Sequence, residues 1–500
     1  MEYIICLTVY LVMMIGISVY SNRKTKTVDE FALGGRSIPP WMSAFSYGTA
    51  YFSAVILVGH AGKNGWTYGI SSFWIVIGNS FLGTYLAWKV LGRRTREMTQ
   101  RLGARTMPQF LGIRYQDPKI RFISAIVIFV FLVPYASSVY KGLGALFEIT
   151  FHIDESVIML IMTVVTAIYL FAGGFLAASI ADFIQGIIML VGVLLLIFYI
   201  LTYESVDGVA NGIERLSNIN EDLVKPLTSE TAVPLISLVL MTSLGTWGLP
   251  QMISKFYTIK SENSIKTARR VSTIFAIIIT AGAYTMGSFS RLIIGNIDGQ
   301  PAIDGKVITY DQIVPNILNC TLPKIVIAIL LVVILAASMS TLAAIVLASS
   351  TTFVMDLVKP IAKDRLTEKK TVLSLKLCCL LFIVCSYILA IGDSPILNLN
   401  ALSWGVVCGV LLAPYLMGLY YKNATKAGVY SAMIVAIVIM SFGVIRYGIN
   451  SSNITTVSAC SIVIPNIVLL AVSAVTKRYD LRHIQFIYKT NIQDKQVKSI

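Results

Sequence analysis

The chain has 500 residues, is 56% hydrophobic and 13% charged, and carries a formal charge of +15. Apolar runs of about twenty residues, the length of helix that spans a bilayer, recur from end to end, which excludes a soluble globular enzyme and points to an all-α polytopic membrane protein. The positive charge would suit a nucleic-acid partner, but its distribution assigns it to loops and leaves the lipid bilayer as the partner.

Apolar blocks between charged or turn-rich segments predict thirteen transmembrane helices, at residues 2–20, 40–60, 70–91, 120–147, 155–173, 177–202, 233–254, 271–295, 325–355, 372–391, 399–419, 427–445 and 457–476. The first span opens on Met1-Glu2-Tyr3 and is followed by Arg23, Lys24 and Lys26. That order reads as a retained anchor with its N-terminus outside, not as a signal peptide.

The second span contains "SYGTAYFSAV" (Ser46–Val55) and the seventh "SLGTWGLPQ" (Ser243–Gln251). Glycine and proline free backbone groups that lipid cannot satisfy, so such segments belong beside protein, water or an ion. Two interrupted spans five apart fit an inverted repeat whose first helices are broken near the midplane, where secondary transporters bind solute and ion. His60 reads as a satisfied polar end of the second span, and Trp66, Tyr68 and Trp74 as an interfacial belt. Lys141, about two turns from the outer end of the fourth span, either snorkels to the interface or meets a substrate carboxylate.

Asp182, in "GGFLAASIADFIQGIIMLVG" (Gly173–Gly192), is the clearest ionisable residue inside a span. An acid at a helix centre costs about 2.5–3.5 kcal/mol on insertion scales, so it is a functional candidate; the alternative is a hydrated carboxylate near the inner interface. The outer segment 203–232 is acidic and reads as a solvated cap. The ninth span carries "ILAASMSTLAA" (Ile334–Ala344). Its Ser340 and Thr341 either bond their own helix or, with the Ala337 carbonyl, offer oxygens to a small hard cation. Ser338 keeps the helix-packing reading.

Lys and Arg settle the orientation. Inner segments hold 32 of the 40, outer segments 7, and Lys141 lies within a span. Positive residues gather on the cytoplasmic side, so the N-terminus is expected outside and the C-terminus in the cytoplasm. Six cysteines fall in spans and only Cys320 near the outer surface, so neither a disulfide framework nor a metal spacing is present. No phosphate loop, metal cluster or nucleophile motif occurs, so the chain is expected to be no enzyme and to need no cofactor.

These motifs, in this order and on these spans, resemble the sodium:solute symporter family, most similarly its bacterial sodium/proline symporter group. The similarity runs from "GGRSIPPW" (Gly34–Trp41) through "GGFLAASIADFIQG" to "LAASMST". The resemblance implies a leucine-transporter-type 5+5 inverted repeat in one transmembrane domain. Residues 39–205 would form the first repeat and 233–420 the second, followed by two additional helices at 427–476 and a cytoplasmic tail at 477–500. It also implies sodium as the coupling ion, bound by the carbonyls of Thr49, Phe52 and Ala337 and the hydroxyls of Ser340 and Thr341, with Asp182 linked to sodium binding and its route inward. An additional sodium site in some relatives uses hydroxyls where this chain has Ala343 and Ala344, so one sodium per cycle is expected.

The solute pocket implied beside that site would draw on Tyr47, Tyr135, Thr242, Thr246, Trp247 and Ser403. Aligning on Pro250 puts Thr242 and Thr246 where the proline group has an aromatic pair, shifts Trp247 by one place, and puts Tyr51 where that group has an acid. The expected function is sodium-coupled import of a small organic solute, an amino acid or small carboxylate ahead of a sugar, by alternating access in the cell membrane. Rival readings are proton coupling through Asp182, a membrane solute sensor, and a channel.

Overall fold

The computed structural model describes residues 2–22, 27–151, 153–362 and 366–488. Arg23, Lys24, Lys26 and the tail beyond 488 lie outside the described residues. Among the described residues, ten helices are long and apolar enough to cross a membrane by length and composition, and two shorter ones, Ile5–Ser21 and Glu155–Ile168, are apolar as well. Ten crossings therefore rest on length and composition outright. The other three of the thirteen predicted spans rest on these two shorter helices and on division of the Val55–Arg101 stretch at Gly69.

The first helix, α1 (Glu2–Asn22), precedes a helix that is broken. α2 (Pro40–Tyr51) begins with proline at its first position, where no N–H is needed, and stops at Phe52, whose backbone is extended (φ −102°, ψ 102°). α3 (55–68) resumes with the π-helical turn Val55–His60 and ends at Gly69 (φ 55°), a left-handed position that glycine takes without strain. α4 (73–101), α5 (Met107–Arg114) and α6 (Pro118–Phe151) follow. α7 (155–173) passes into α8 (Gly174–Thr202) without a loop, because Gly174 (φ 59°, ψ −157°) turns the chain on a single residue.

The second break lies where "SLGTWGLPQ" predicts it. α9 (Ser229–Gly248) ends at the extended Leu249 (φ −76°, ψ 122°), and α10 (Pro250–Thr258) starts on Pro250. Proline pushes its predecessor out of the helical region and itself suits the first helical turn. α11 (Glu262–Ser288), α12 (Lys324–Ala362), α13 (Glu368–Ala390), α14 (Ile396–Tyr420), α15 (Lys426–Tyr447), α16 (Ile454–Val475) and the short α17 (Leu481–Tyr488) follow, and shorter helices at Val28–Leu33, Gly208–Ile219, Ser290–Ile293 and Ile313–Thr321 lie in the connections.

Several ends differ from those expected from hydropathy. The span expected at 271–295 starts at Glu262, capped by the Ser261 hydroxyl, and ends at Ser288. Its tail instead enters a three-stranded antiparallel sheet, β1 (Gly295–Ile297), β2 (Gln300–Ile303) and β3 (Lys306–Val307), with Gly295 opposite Ala302 and Ala302 opposite Val307. Lys266, Arg269 and Arg270 lie in the first turns of α11, and a hydropathy window discards such turns although long basic side chains reach water from a helix end.

α12 and α14 form the centre, with 83% and 94% of their most apolar stretch buried. Helices meet closely at α3 and α11, where Gly65 lies against the backbone of Gly287: a Cβ on Gly65 would stand 2.1 Å from the Gly287 carbonyl carbon. Small residues permit such backbone approach between membrane helices.

The end that carries the basic loops is tied in four ways. Ile38, just before α2, and Ile259, just after α10, pair as a parallel β-bridge, with Ile38 N–H donating to Thr258 O (3.2 Å) and Lys260 N–H to Ile38 O (3.1 Å). The Arg96 guanidinium donates to the carbonyls of Ile259 (3.0 Å) and Lys260 (2.8 Å). Asp356, buried at the end of α12, accepts from Arg121 Nε (2.7 Å) and from the Thr106 hydroxyl (2.6 Å) that also caps α5. α17 folds back on the same end, where the Tyr488 hydroxyl and the carbonyls of Gly418, Tyr421 and Lys422 surround the buried Arg114 guanidinium.

Two smaller expectations need correction. Trp66 is no interfacial residue: it is 1% exposed, donates to the Gly299 carbonyl and lies beneath the Arg291 guanidinium. Trp74 is exposed and Tyr68 half-buried. Lys141 does not snorkel: its ammonium donates to the carbonyls of Gly392 and Ser394, closing the turn before α14.

Candidate functional site

The break between α2 and α3 leaves backbone groups that α12 takes up. The Thr341 hydroxyl lies 3.1 Å from the Thr49 carbonyl of α2 and 3.0 Å from the Ala337 carbonyl of its own helix. A hydroxyl has one proton to give, so one of the two carbonyls always faces it without a donor. Ser340 Oγ, 1% exposed, and Thr49 Oγ1 have no hydrogen-bond partner. Phe52, expected to supply another carbonyl, is the extended residue at which the helical ladder stops. Four of the five expected oxygen-bearing residues therefore gather around one α2–α12 contact, with Phe52 at the break beside them. An electron-rich set of carbonyls and hydroxyls, without nitrogen or sulfur, has the chemistry that a small hard cation requires.

Ser338 departs from its bland reading. Its hydroxyl accepts the Ala54 N–H at 3.3 Å, so α12 holds open the break itself as well as offering oxygens to it. Residues 337, 338, 340 and 341 present three faces of one turn, which sequence spacing alone does not distinguish.

Asp182 on α8 is 1% exposed, which removes the hydrated-interface reading. Its Oδ2 accepts the Ser46 hydroxyl of α2 and lies 3.4 Å from the Lys255 ammonium of α10. Lys255 Nζ also donates to Ser46 Oγ at 2.6 Å. Asp182 Oδ1 has no hydrogen-bond partner, and Ser340 stands beside the carboxylate. Hydropathy ends the seventh span at residue 254 and so counts Lys255 with the inner loops. In the fold it is 2% exposed, a buried partner and not a loop charge. The signal that finds it is the helical continuation past Pro250, which carries the span to Thr258.

The six residues expected around a solute divide into two groups. The Tyr47 hydroxyl donates to Gly83 O (2.8 Å), Thr246 Oγ1 to the same carbonyl (2.9 Å) and Trp247 Nε1 to Leu82 O (2.9 Å), so all three polar groups are engaged by α4. Thr242 bonds Leu238 within α9, while its carbonyl accepts the Tyr51 hydroxyl (2.7 Å). Tyr135 lies elsewhere, against Trp404, the residue that follows Ser403 on α14. The Tyr135 and Trp404 rings meet edge to face at 5.5 Å, and Tyr51 lies 6.3 Å from Trp404 on another side. Gly245 makes room for this indole, since a Cβ there would stand 2.5 Å from Trp404 Cε3. Ser403 Oγ, Trp404 Nε1 and both amide atoms of Asn400 are buried without hydrogen-bond partners.

A comparison with protein-family models matches residues 31–436 to the sodium:solute symporter family. The chain belongs to this family. Among curated relatives, the High-affinity proline transporter PutP of Bacillus subtilis (strain 168) is 31% identical over 84% of this chain and 88% of its own length. The Sodium/proline symporter of Escherichia coli (strain K12) is 30% identical over 85% of this chain and 84% of its own. A solved Na+-coupled sialic acid symporter, in a substrate-bound outward-open state, superposes with a TM-score of 0.78 at 18% identity, covering 96% of this chain and 99% of that one. MHP1, a nucleobase-cation-symport-1 family transporter, superposes at 0.52 with 14% identity, over 91% of this chain and 97% of that one. The all-α fold is thus that of sodium symporters with broken helices, and the chain is a multi-pass membrane symporter that couples sodium to a small organic solute, not an enzyme.

On the opposite end from the basic loops this symporter has a vestibule of about 800 Å³, lined among others by Lys63, Lys141, Glu148, Glu155, Asp311 and Asp393. Asp311 accepts the Ile396 N–H (3.3 Å) at the start of α14; burial pushes its carboxyl above the usual range, against that bond and the nearby Lys63 and Lys141. Below the vestibule floor formed by Ile396 and Leu397, His60 and Asn400 face each other. His60 is completely buried, and neither ring nitrogen has a hydrogen-bond partner, so it is not the satisfied helix end that its position suggests. Ile396, Asn400, Ser403 and Trp404 follow one face of α14 from the vestibule to the aromatic cluster.

Proposed function

We propose that this symporter imports a small amino acid or carboxylate, with one sodium ion held by the carbonyls of Thr49, Phe52 and Ala337 and the hydroxyls of Ser340 and Thr341. The observation that carries the reading is Thr341 Oγ1 within 3.1 Å of Thr49 O and 3.0 Å of Ala337 O. An ion at this point replaces two weak hydroxyl contacts by direct ligation from both helices, joining α2 to α12. Whatever conformation it favours, solute and sodium then strengthen each other's binding by the same factor. The basic end is the cytoplasmic one, with the N-terminus outside and the C-terminus inside, supported by the excess of Lys and Arg in its loops.

The solute lies against Tyr51, Tyr135, Ser403 and Trp404, with Tyr47, Thr242, Thr246 and Trp247 forming the wall that α4 braces. Three rings and neutral donors, with no fixed charge among them, suit a small zwitterion or a solute whose one carboxylate faces the sodium ion. Proline, named for the relatives from Bacillus subtilis and Escherichia coli, is the first compound to try. The pairing of Asp182 with Lys255 counts against Asp182 as a lone proton carrier in a sodium-free cycle.

A thermal-shift screen of purified protein against amino acids, short carboxylates and sugars, with and without sodium, tests both halves. A compound that binds only the sodium-loaded form raises the melting temperature only with sodium, by about 2.7 kcal/mol of stabilisation at a hundred times its dissociation constant. In sealed vesicles, sodium-free uptake driven as well by a pH gradient as by a sodium gradient overturns sodium coupling. Once a solute is known, Trp404→Leu is expected to raise its half-saturation concentration about tenfold or more, a loss of about 1.4 kcal/mol. The stabilisation by sodium alone should persist, and an unchanged half-saturation concentration removes Trp404 from the pocket.

A further inference from the structure

Asp182 is a carboxylate sealed among helices, and burying such a charge is tolerated only when a cation lies beside it. Here that cation is covalently part of the chain. The Lys255 ammonium has three N–H groups and three directions filled: Ser46 Oγ at 2.6 Å, Asp182 Oδ2 at 3.4 Å, and the face of the Phe175 ring, whose centroid is 5.1 Å away. Lys255 also borders a small cavity whose walls include Ala178 and Ala344 as well as Ser254, Thr351 and Thr352. Ala343, one residue before Ala344 on α12, is completely buried and, like it, has no side-chain oxygen. The pair joins three elements at one point: α8 through Asp182, α2 through Ser46 and α10 through Lys255.

We propose that Lys255 is a tethered cation that occupies the electrostatic place of a second sodium ion at Asp182 and so holds the coupling ratio at one sodium per solute. This rests on the sodium site proposed above between α2 and α12. The ammonium already occupies this place: two oxygen acceptors and one ring face meet its three N–H groups, so the carboxylate is neutralised without a metal ion. Removing the ammonium while keeping the carboxylate leaves both Asp182 oxygens, Ser46 Oγ and the partnerless Ser340 Oγ around a vacated charge. That set is a cation site of the same chemical class as the first.

The test uses sodium alone as the ligand, with radioactive sodium binding to the purified full-length protein at alkaline pH, where protons compete least for Asp182. The wild type should bind one sodium per chain, with a Hill coefficient of one. Lys255→Met should bind two, and Lys255→Met/Asp182→Asn, which removes both charges, should return to one. A wild type that binds two ions overturns the proposal without any variant, as does a Lys255→Met protein that binds one with wild-type affinity. If Lys255→Met folds only in high sodium while the double variant folds without it, the missing cation is being supplied from solution, as proposed. A wild type that binds no sodium overturns the α2–α12 site and this inference with it, whereas one ion bound by both wild type and Lys255→Met overturns this inference alone.

Discussion

Thr341→Ala should raise the sodium concentration for half-maximal uptake about tenfold or more, the equivalent of about 1.4 kcal/mol or above. Two losses add. The ion loses one oxygen ligand, and the Thr49 carbonyl, which Thr341 Oγ1 reaches at 3.1 Å, is left facing a methyl group in a fully buried place. An unpartnered buried acceptor costs about 1–3 kcal/mol, and part of that cost falls on the apo protein, so the variant should also melt earlier in sodium-free buffer. Thr341→Ser keeps the oxygen and should stay close to wild type. Uptake into membrane vesicles over a sodium series decides the matter: Thr341→Ala with wild-type sodium dependence would remove this hydroxyl from the site. Ser340→Ala should shift the same curve in the same direction with less apo destabilisation, because Ser340 Oγ, unlike Thr341 Oγ1, reaches no backbone carbonyl.

Gly65→Ala is expected to abolish the folded transporter. The added Cβ would lie 2.1 Å from the carbonyl carbon and 2.4 Å from the Cα of Gly287, whereas non-bonded carbons sit at about 3.5–4.0 Å. The obstacle is backbone on α11 and not a side chain that can swing away, so α3 and α11 must part by more than an ångström. Overpacking by a methyl group already costs about 1–3 kcal/mol where side chains give way, and here neither helix can give without moving the broken α2–α3 pair. Size-exclusion profiles of detergent-extracted protein read the outcome, with Gly16→Ala as the comparison, since a Cβ on Gly16 of α1 meets nothing within 4 Å. A monodisperse Gly65→Ala peak at wild-type yield would show that the two helices are not held at that distance.

What the sequence shows and what it hides divide along a physical line. A carboxylate or a hydroxyl pair in an apolar run is anomalous by itself, so Asp182, Ser340 and Thr341 stand out from their sequence neighbours alone. The two breaks stand out for the same reason, because glycine and proline interrupt helices by local stereochemistry. Lys255 is hidden by the rule that hydrophobic stretches end at charges: its partner is on α8, 73 residues away in sequence. Ser338 reads as packing because its partner, the Ala54 N–H, is 284 residues away and becomes available only after α2 has unwound. Trp404 and Asn400 give no signal at all, since aromatic and amide residues are unremarkable in a long apolar helix until a cavity or an orphaned polar atom marks them. Trp66 misleads because an indole near a span end looks the same whether it faces headgroups or, as here, the β1–β2 turn at Gly299 and Arg291.

The β-bridge between Ile38 and Ile259 bears on how the protein can move. It joins the residue two before α2 to the residue just after α10, and these are the cytoplasmic halves of the two broken helices in the proposed orientation. Each half ends toward the centre at a non-helical residue, Phe52 in one case and Leu249 in the other. Two struts pinned together at one end and jointed at the other behave as a single flap with paired hinges. Release of cargo toward that end therefore swings α2 and α10 as one body, or it begins with rupture of the two backbone bonds that pin them.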